Sequence, residues 1–280
     1  LIFVMALLLA ALGSYFLGME HGRKDIEPAA TPQTPTPAKN QAPAKTEPEP
    51  VATKAPVVSQ EIVQPKRESR EDYCKRIEKD VRDFFDYLNT KNYIRHVEEG
   101  TDTFDHFKKI LSRLASKLPI PAGEGADSTV LNSNIYHLFR VLDRRDIRLI
   151  REVLANESET LEMNVDLFYR WLTLGESCPD PEGFRPSREA LYHYAGFFLN
   201  TIGGRSYLFR RPLRLRLLGM YYSLLIVHEA DKEGRNLYGI DPFPHIAPLA
   251  KEIALYNGFR FQQAYLDKLE DIEKYYIQRR

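Results

Sequence analysis

The sequence predicts an all-α protein: a single globular domain of about ten helices over residues 69–280, after an N-terminal transmembrane helix and a disordered Pro-rich linker. Three observations carry this reading. Residues 1–19 contain no charged side chain. Residues 28–65 hold nine of the chain's 18 prolines. From Ser69 onward, apolar residues recur at intervals of three and four, and period-two alternation is scarce.

The first element is LIFVMALLLAALGSYFLGM, residues 1–19. As a helix it is about 28 Å long, close to the roughly 30 Å of a bilayer's hydrocarbon core. A single membrane anchor is expected. A cleavable signal peptide is the alternative, with Ala11 and Gly13 spaced for cutting before Ser14. The apolar character runs past that cut through Tyr15, Phe16, Leu17 and Met19, which favours the anchor. Arg23 and Lys24 are balanced by Glu20 and Asp25, so flanking charge does not set an orientation. No lipobox cysteine follows, so a lipoprotein is not expected.

The linker, residues 20–68, has few apolar side chains to offset the entropy of ordering. Its prolines lack the amide hydrogen and restrict the residue before them, so neither helix nor sheet propagates. A spacer biased toward polyproline II is expected. About 45 such residues reach roughly 140 Å when extended and average roughly 35–40 Å as a flexible coil. Anchor, Pro-rich spacer and globular domain together resemble the layout of many bacterial envelope proteins. That likeness implies an inner-membrane, single-pass chain with its C-terminal domain in the periplasm.

The helices follow in order. Ser69 and Asp72 form a capping signal before Tyr73, Cys74, Ile77, Val81, Phe84, Phe85 and Leu88. A second helix carries Phe104, Phe107, Ile110, Leu111, Leu114 and Leu118 and stops at Pro119. After a loop over 119–128, one helix spans Leu131 to Leu142. Asp146 is expected to cap the next, and another runs from about Thr160 to Leu174. The helix over 188–202 is expected to end at Gly203-Gly204, and Pro212 to open a central buried helix over 213–227. Two more, about 246–257 and 259–278, complete the chain. On the last, Tyr265, Leu269, Ile272 and Tyr276 form a stripe able to pack on its own domain or on a partner.

Lys+Arg and Asp+Glu both total 39, which excludes a generic polyanion binder; such a role needs a local patch, and no nucleic-acid partner is expected. One such patch is 205-RSYLFRRPLRLR-216, with five arginines and no acid. Arg205, Arg210, Arg211, Arg214 and Arg216 offer guanidinium forks to an anionic partner, and Tyr207 and Phe209 offer rings for stacking. The competing reading is that these arginines pair with acids of neighbouring helices. Reversing Arg210, Arg211 and Arg214 to Glu is expected to abolish partner recovery with the fold intact.

Cys74 and Cys178 permit one disulfide, but two unrelated free thiols is the leading expectation. No CxxC or Cys/His cluster occurs, so neither metal nor cofactor is expected. His228-Glu229 lacks a second histidine four residues on, and His228 with Asp231 is a lone acid–base candidate at i, i+3. Glu176-Ser177 resembles the Glu-Ser pair of lytic transglycosylases over those two residues only, and the downstream motif of that family is absent. No catalytic residue is assigned. The expected function is a membrane-anchored helical interaction or scaffold protein of the bacterial envelope, working through 205–216 with a protein or anionic envelope partner. The alternatives are an envelope-facing enzyme acting on cell-wall material and a cytoplasm-facing, membrane-tethered regulator.

Overall fold

A computed structural model describes residues 68–280 except 98, 99, 101, 126, 176, 177, 181 and 182. The expected anchor, the linker up to residue 67, and the Glu176-Ser177 pair lie outside the described residues. Those described form twelve helices and no strand. They are α1 (Arg70–Asn89), α2 (Asn92–Arg95), α3 (Thr103–Ser116), α4 (Ser128–Ile135), α5 (His137–Val141), α6 (Arg144–Asn156), α7 (Leu161–Leu172), α8 (Arg188–Asn200), α9 (Ile202–Phe209), α10 (Leu213–Lys232), α11 (Phe243–Leu255) and α12 (Gln262–Ile277).

Local chemistry sets most boundaries. The Ser69 hydroxyl accepts from the Asp72 amide at 3.1 Å, starting α1 as its capping signal requires. At α6 the cap is Asp143, three residues before the expected Asp146. Asp143 accepts from the Asp146 amide and Asp146 accepts from the Asp143 amide, a reciprocal capping box. The segment expected as one helix over Leu131–Leu142 divides at Tyr136 into α4 and α5.

Gly203 and Gly204 do not end a helix. Thr201 does, with extended backbone (φ −109°, ψ 149°), and its hydroxyl accepts from the Gly204 amide to start α9. The two glycines lie inside α9 because it is pressed against its neighbours. A Cβ on Gly204 would sit 1.9 Å from the Phe197 carbonyl oxygen, and one on Gly203 2.7 Å from the Asn134 backbone. The pair thus locks α9 into the crook between α8 and α4.

Helix α10 is buried on nearly every side and packs on α7, α8, α9 and α11. Its apolar circumference is that of a core helix, and among the described residues no helix is long and apolar enough to cross a membrane. One contiguous core runs from Cys74 to Tyr276, with Trp171, Tyr194, Phe197, Phe198 and Tyr222 its largest fully buried side chains. The α12 stripe is spent here: Tyr265, Leu269, Ile272 and Tyr276 are all buried in their own domain.

Cys74 and Cys178 are joined in a disulfide, which corrects the expectation of two free thiols. The bridge fastens α1 to the loop after α7, with Cα atoms 5.6 Å apart. Neighbouring contacts share the task. Trp171 Nε1 donates to Glu78 at 2.7 Å, Arg70 to the Leu174 carbonyl at 2.9 Å, and Arg185 to the Cys178 carbonyl at 2.8 Å.

Burial gives the fold a pH dependence of known sign. The His137 ring lies tilted against Phe197, with centroids 5.9 Å apart, and meets the Tyr194 hydroxyl at 3.1 Å. Burial, reinforced by the charges of Arg140 and Lys117, pushes its pKa from 6.5 down to about 4. Between those values the unfolded chain takes up a proton that the folded chain refuses. Acidification through that window therefore destabilises the domain, by about 3 kcal/mol for this one group. His228 and His245, also held below the ordinary value by burial, add in the same direction. Urea titrations against pH are expected to show a shallower acid slope for His137→Gln than for the wild type. An identical slope would remove His137 as its source.

Candidate functional site

The arginine-rich segment builds the α9–α10 corner. Helical spacing divides α9 cleanly. Gly203, Gly204, Tyr207 and Leu208 are buried, whereas Ile202, Arg205, Ser206 and Phe209 are exposed, with Arg210 continuing that face as the C-cap. The exposed set follows i, i+3, i+4, i+7 and i+8. Phe209 is 62 % exposed and Ile202 56 %. Tyr136, Phe139 and Leu213 are further exposed apolar residues on the elements adjoining α9, and the Phe139 ring lies 5.6 Å from that of Tyr207.

The seven residues singled out in the sequence separate into two groups. Arg205, Phe209 and Arg210 stand on the open face. The other four serve the fold. Tyr207 is buried, and burial raises its hydroxyl pKa, so it is not a surface stacking platform. Arg211 is buried beside it, its Nε donating to the Tyr207 carbonyl at 3.0 Å; burial lowers its pKa to about 9, so it remains charged at neutral pH. Arg214 donates to the Ser158 carbonyl at 3.0 Å and to Glu162 at 3.2 Å. Arg216 pairs with Glu252 and lies 5.3 Å from the Phe209 ring centre. Pairing with acids of neighbouring helices thus holds for Arg214 and Arg216, whereas Arg205 and Arg210 are exposed. Charge reversal at Arg210, Arg211 and Arg214 would damage packing as well as any surface, so Arg205 and Arg210 are the informative pair.

The surroundings of the face carry both signs of charge. Arg205 acts on His245 at the start of α11, lowering its pKa in addition to burial. Arg140 is exposed on α5, where it donates to the Asn132 carbonyl at 2.9 Å and caps the end of α4. The acids nearby are engaged. Glu124 accepts from the Ile202 amide at 2.7 Å and from Asn134 at 3.2 Å, and Asp241 pairs with Arg280 at 2.8 Å. Sequence reasoning missed Ile202, because the apolar–basic spacing appears only once Gly203 and Gly204 are placed inside a helix.

Three other arrangements were candidates for chemistry. A surface cleft of about 450 Å³ lies among α7, α8 and α10, lined in part by Tyr169, Arg188, Glu189, Glu229, Glu233 and Arg235. Most of its charges close on one another, Glu189 being exposed. Arg188 grips Glu233 at 2.8 and 3.0 Å, Arg235 pairs with the same carboxylate, and Lys232 reaches Glu229 at 3.4 Å. His106 Nε2 meets Asp146 at 2.8 Å, but both are buried and Asp146 also takes Arg113 and a backbone amide. His228 and Asp231 are joined through the Tyr276 hydroxyl, at 3.3 and 3.2 Å, in a network that docks α12 on α10. Among the described residues no group of three His, Cys, Asp or Glu side chains is placed to hold a metal ion.

Comparison with protein-family models, curated protein sequences and solved structures gives no match to this chain.

Proposed function

We propose that this protein is a membrane-anchored helical interaction protein of the bacterial cell envelope. Residues 1–19 would hold it in the inner membrane and residues 20–68 would carry the helical domain into the periplasm. There the exposed face of α9 would engage a protein or an anionic envelope component. The observation that carries this reading is the buried Cys74–Cys178 disulfide. Such bonds persist in oxidising compartments and are rare in the cytosol. Taken with the uncharged 19-residue start and the Pro-rich spacer, the bridge supports an envelope-facing domain and weighs against a cytoplasmic regulator. The α9 face supplies the contact: apolar side chains left in water beside arginines are characteristic of interaction surfaces.

The enzyme alternative gains less. It needs an acid pair or a His–acid pair open to substrate, but Glu233 and Glu229 of the α8–α10 cleft pair with Arg188, Arg235 and Lys232, and the His106–Asp146 contact is buried.

Crosslinking of the full chain in its native membrane, followed by affinity recovery, tests the contact. The partner is expected to be recovered with the wild type and lost with Arg205→Glu/Arg210→Glu. Both side chains are exposed, and thermal unfolding of the double variant verifies that the fold is kept. Equal recovery by the double variant would overturn the assignment of this face.

A further inference from the structure

The chemistry of the α9 face distinguishes between kinds of anionic partner. The face is a convex helix surface, with Phe209 and Ile202 projecting seven residues apart and Arg205 and Arg210 beside them. A protein partner would have to supply an apolar pocket ringed with acids. A bilayer surface supplies the same two layers without a pocket: anionic phosphates outside and acyl chains beneath. Arginine pairs with phosphate through its fork, and an aromatic ring fits the boundary layer between headgroup and chain. As an anchor, residues 1–19 would place a bilayer within the span of the linker, roughly 35–40 Å as a coil. Docking from such a tether is intramolecular, so a small patch suffices.

We infer that the α9 face is a lipid-docking surface, seating Phe209 and Ile202 in the interfacial layer of the anionic membrane to which residues 1–19 tether the domain, with Arg205 and Arg210 on lipid phosphates. The inference rests on the anchor reading above and narrows its partner to phospholipid. Docking makes the domain two-positional: held flat on the membrane, or released to the reach of its linker. High salt favours release, because both arginines are exposed and screened.

Fluorescence of the full chain reconstituted into vesicles tests it. Trp171, the chain's one tryptophan, is fully buried and provides a constant background. In Phe209→Trp, emission is expected to be quenched by brominated acyl chains in phosphatidylglycerol vesicles. It should not be quenched in phosphatidylcholine vesicles or at high salt. Adding Arg205→Gln/Arg210→Gln is expected to lower the docking equilibrium constant about 30-fold, at about 1 kcal/mol for each arginine near an anionic surface. Ile202→Trp serves as a second reporter, and circular dichroism verifies that each variant folds. An unquenched reporter at both positions in anionic vesicles would overturn the proposal. So would crosslinks from the same face to a protein in the absence of quenching, which would assign the face to an acidic protein partner. Alkaline extraction of the same vesicles is the separate readout for the tether. If the chain is stripped from the lipid, the anchor reading fails; if it is retained without quenching, only lipid docking fails.

Discussion

Replacing Cys74 and Cys178 together by alanine is expected to lower the thermal unfolding midpoint by roughly 10–20 °C. The bond spans 104 residues of sequence, and closing a loop of that size removes about 4–5 kcal/mol of conformational entropy from the unfolded chain. A folded region of this size shifts by about 2–4 °C for each kcal/mol. The geometry favours the full effect. Both cysteines are buried, and the bridge is one of several ties between α1 and the segment after α7, including Trp171 to Glu78 and Arg70 to the Leu174 carbonyl. Without the bond, α1 holds that segment through these polar contacts and the apolar packing around Trp171, Leu174 and Phe184. Calorimetry of wild type, double variant and reduced wild type decides the matter. Reductant should reproduce the shift in the wild type and add nothing to the variant. Equal midpoints for all three would mean that the bridge does not constrain the fold.

The second large effect is expected at Glu162. This carboxylate is only 1 % exposed and is shared by three elements. It opens the first turn of α7, where a negative charge favours the helix dipole. It accepts from the amides of Arg260 and Phe261 at 2.9 and 2.8 Å, satisfying backbone donors at the entry to α12. It also takes Arg214 of α10 at 3.2 Å. Glu162→Ala would leave two amides and a half-buried guanidinium without their acceptor, and the Arg214 Nε already lacks one. The expected loss is about 3–5 kcal/mol, the ordinary cost of removing one partner from a buried charged pair. Glu162→Gln keeps an acceptor for the amides and should lose less. Urea unfolding of the two variants measures this directly. A loss below about 1 kcal/mol for Glu162→Ala would show that water replaces the carboxylate and that α12 docks by apolar contact alone.

These two sites also show where sequence reasoning stops. Helices α1, α3, α7, α10 and α12 were legible because local chemistry marks an end of each and their apolar residues recur without a break, as a stripe or, in α10, on nearly every side. Ser69 announces α1, Pro119 follows α3, and Pro212 precedes α10. The break at Tyr136 was not legible, since apolar residues keep helical spacing across it while the backbone does not. Gly203-Gly204 was misread because glycine serves two purposes, ending helices and allowing close approach; only the nearness of Phe197 and Asn134 tells which applies. The disulfide carries no local signal, because two isolated cysteines look alike bridged or free.

The arginine cluster was visible as a cluster, yet its division into structural and exposed members depends on acids far away in sequence. Arg214 is claimed by Glu162 and Arg216 by Glu252. What remains on the surface is smaller and more apolar than composition suggested: two arginines, Phe209 and Ile202 on one helix face. That remnant, not the run of five arginines, is the feature on which the proposed contact depends.

The placement of the domain is the claim on which the function rests, and differential thiol alkylation in intact cells tests it most directly. Membranes are washed at alkaline pH, and Cys74 and Cys178 of the retained chain are probed before and after reduction. The expected result is a chain that stays with the membrane, with both thiols blocked until reductant is added. A chain found in the soluble fraction with both cysteines alkylated at once would contradict both the tether and the oxidising compartment.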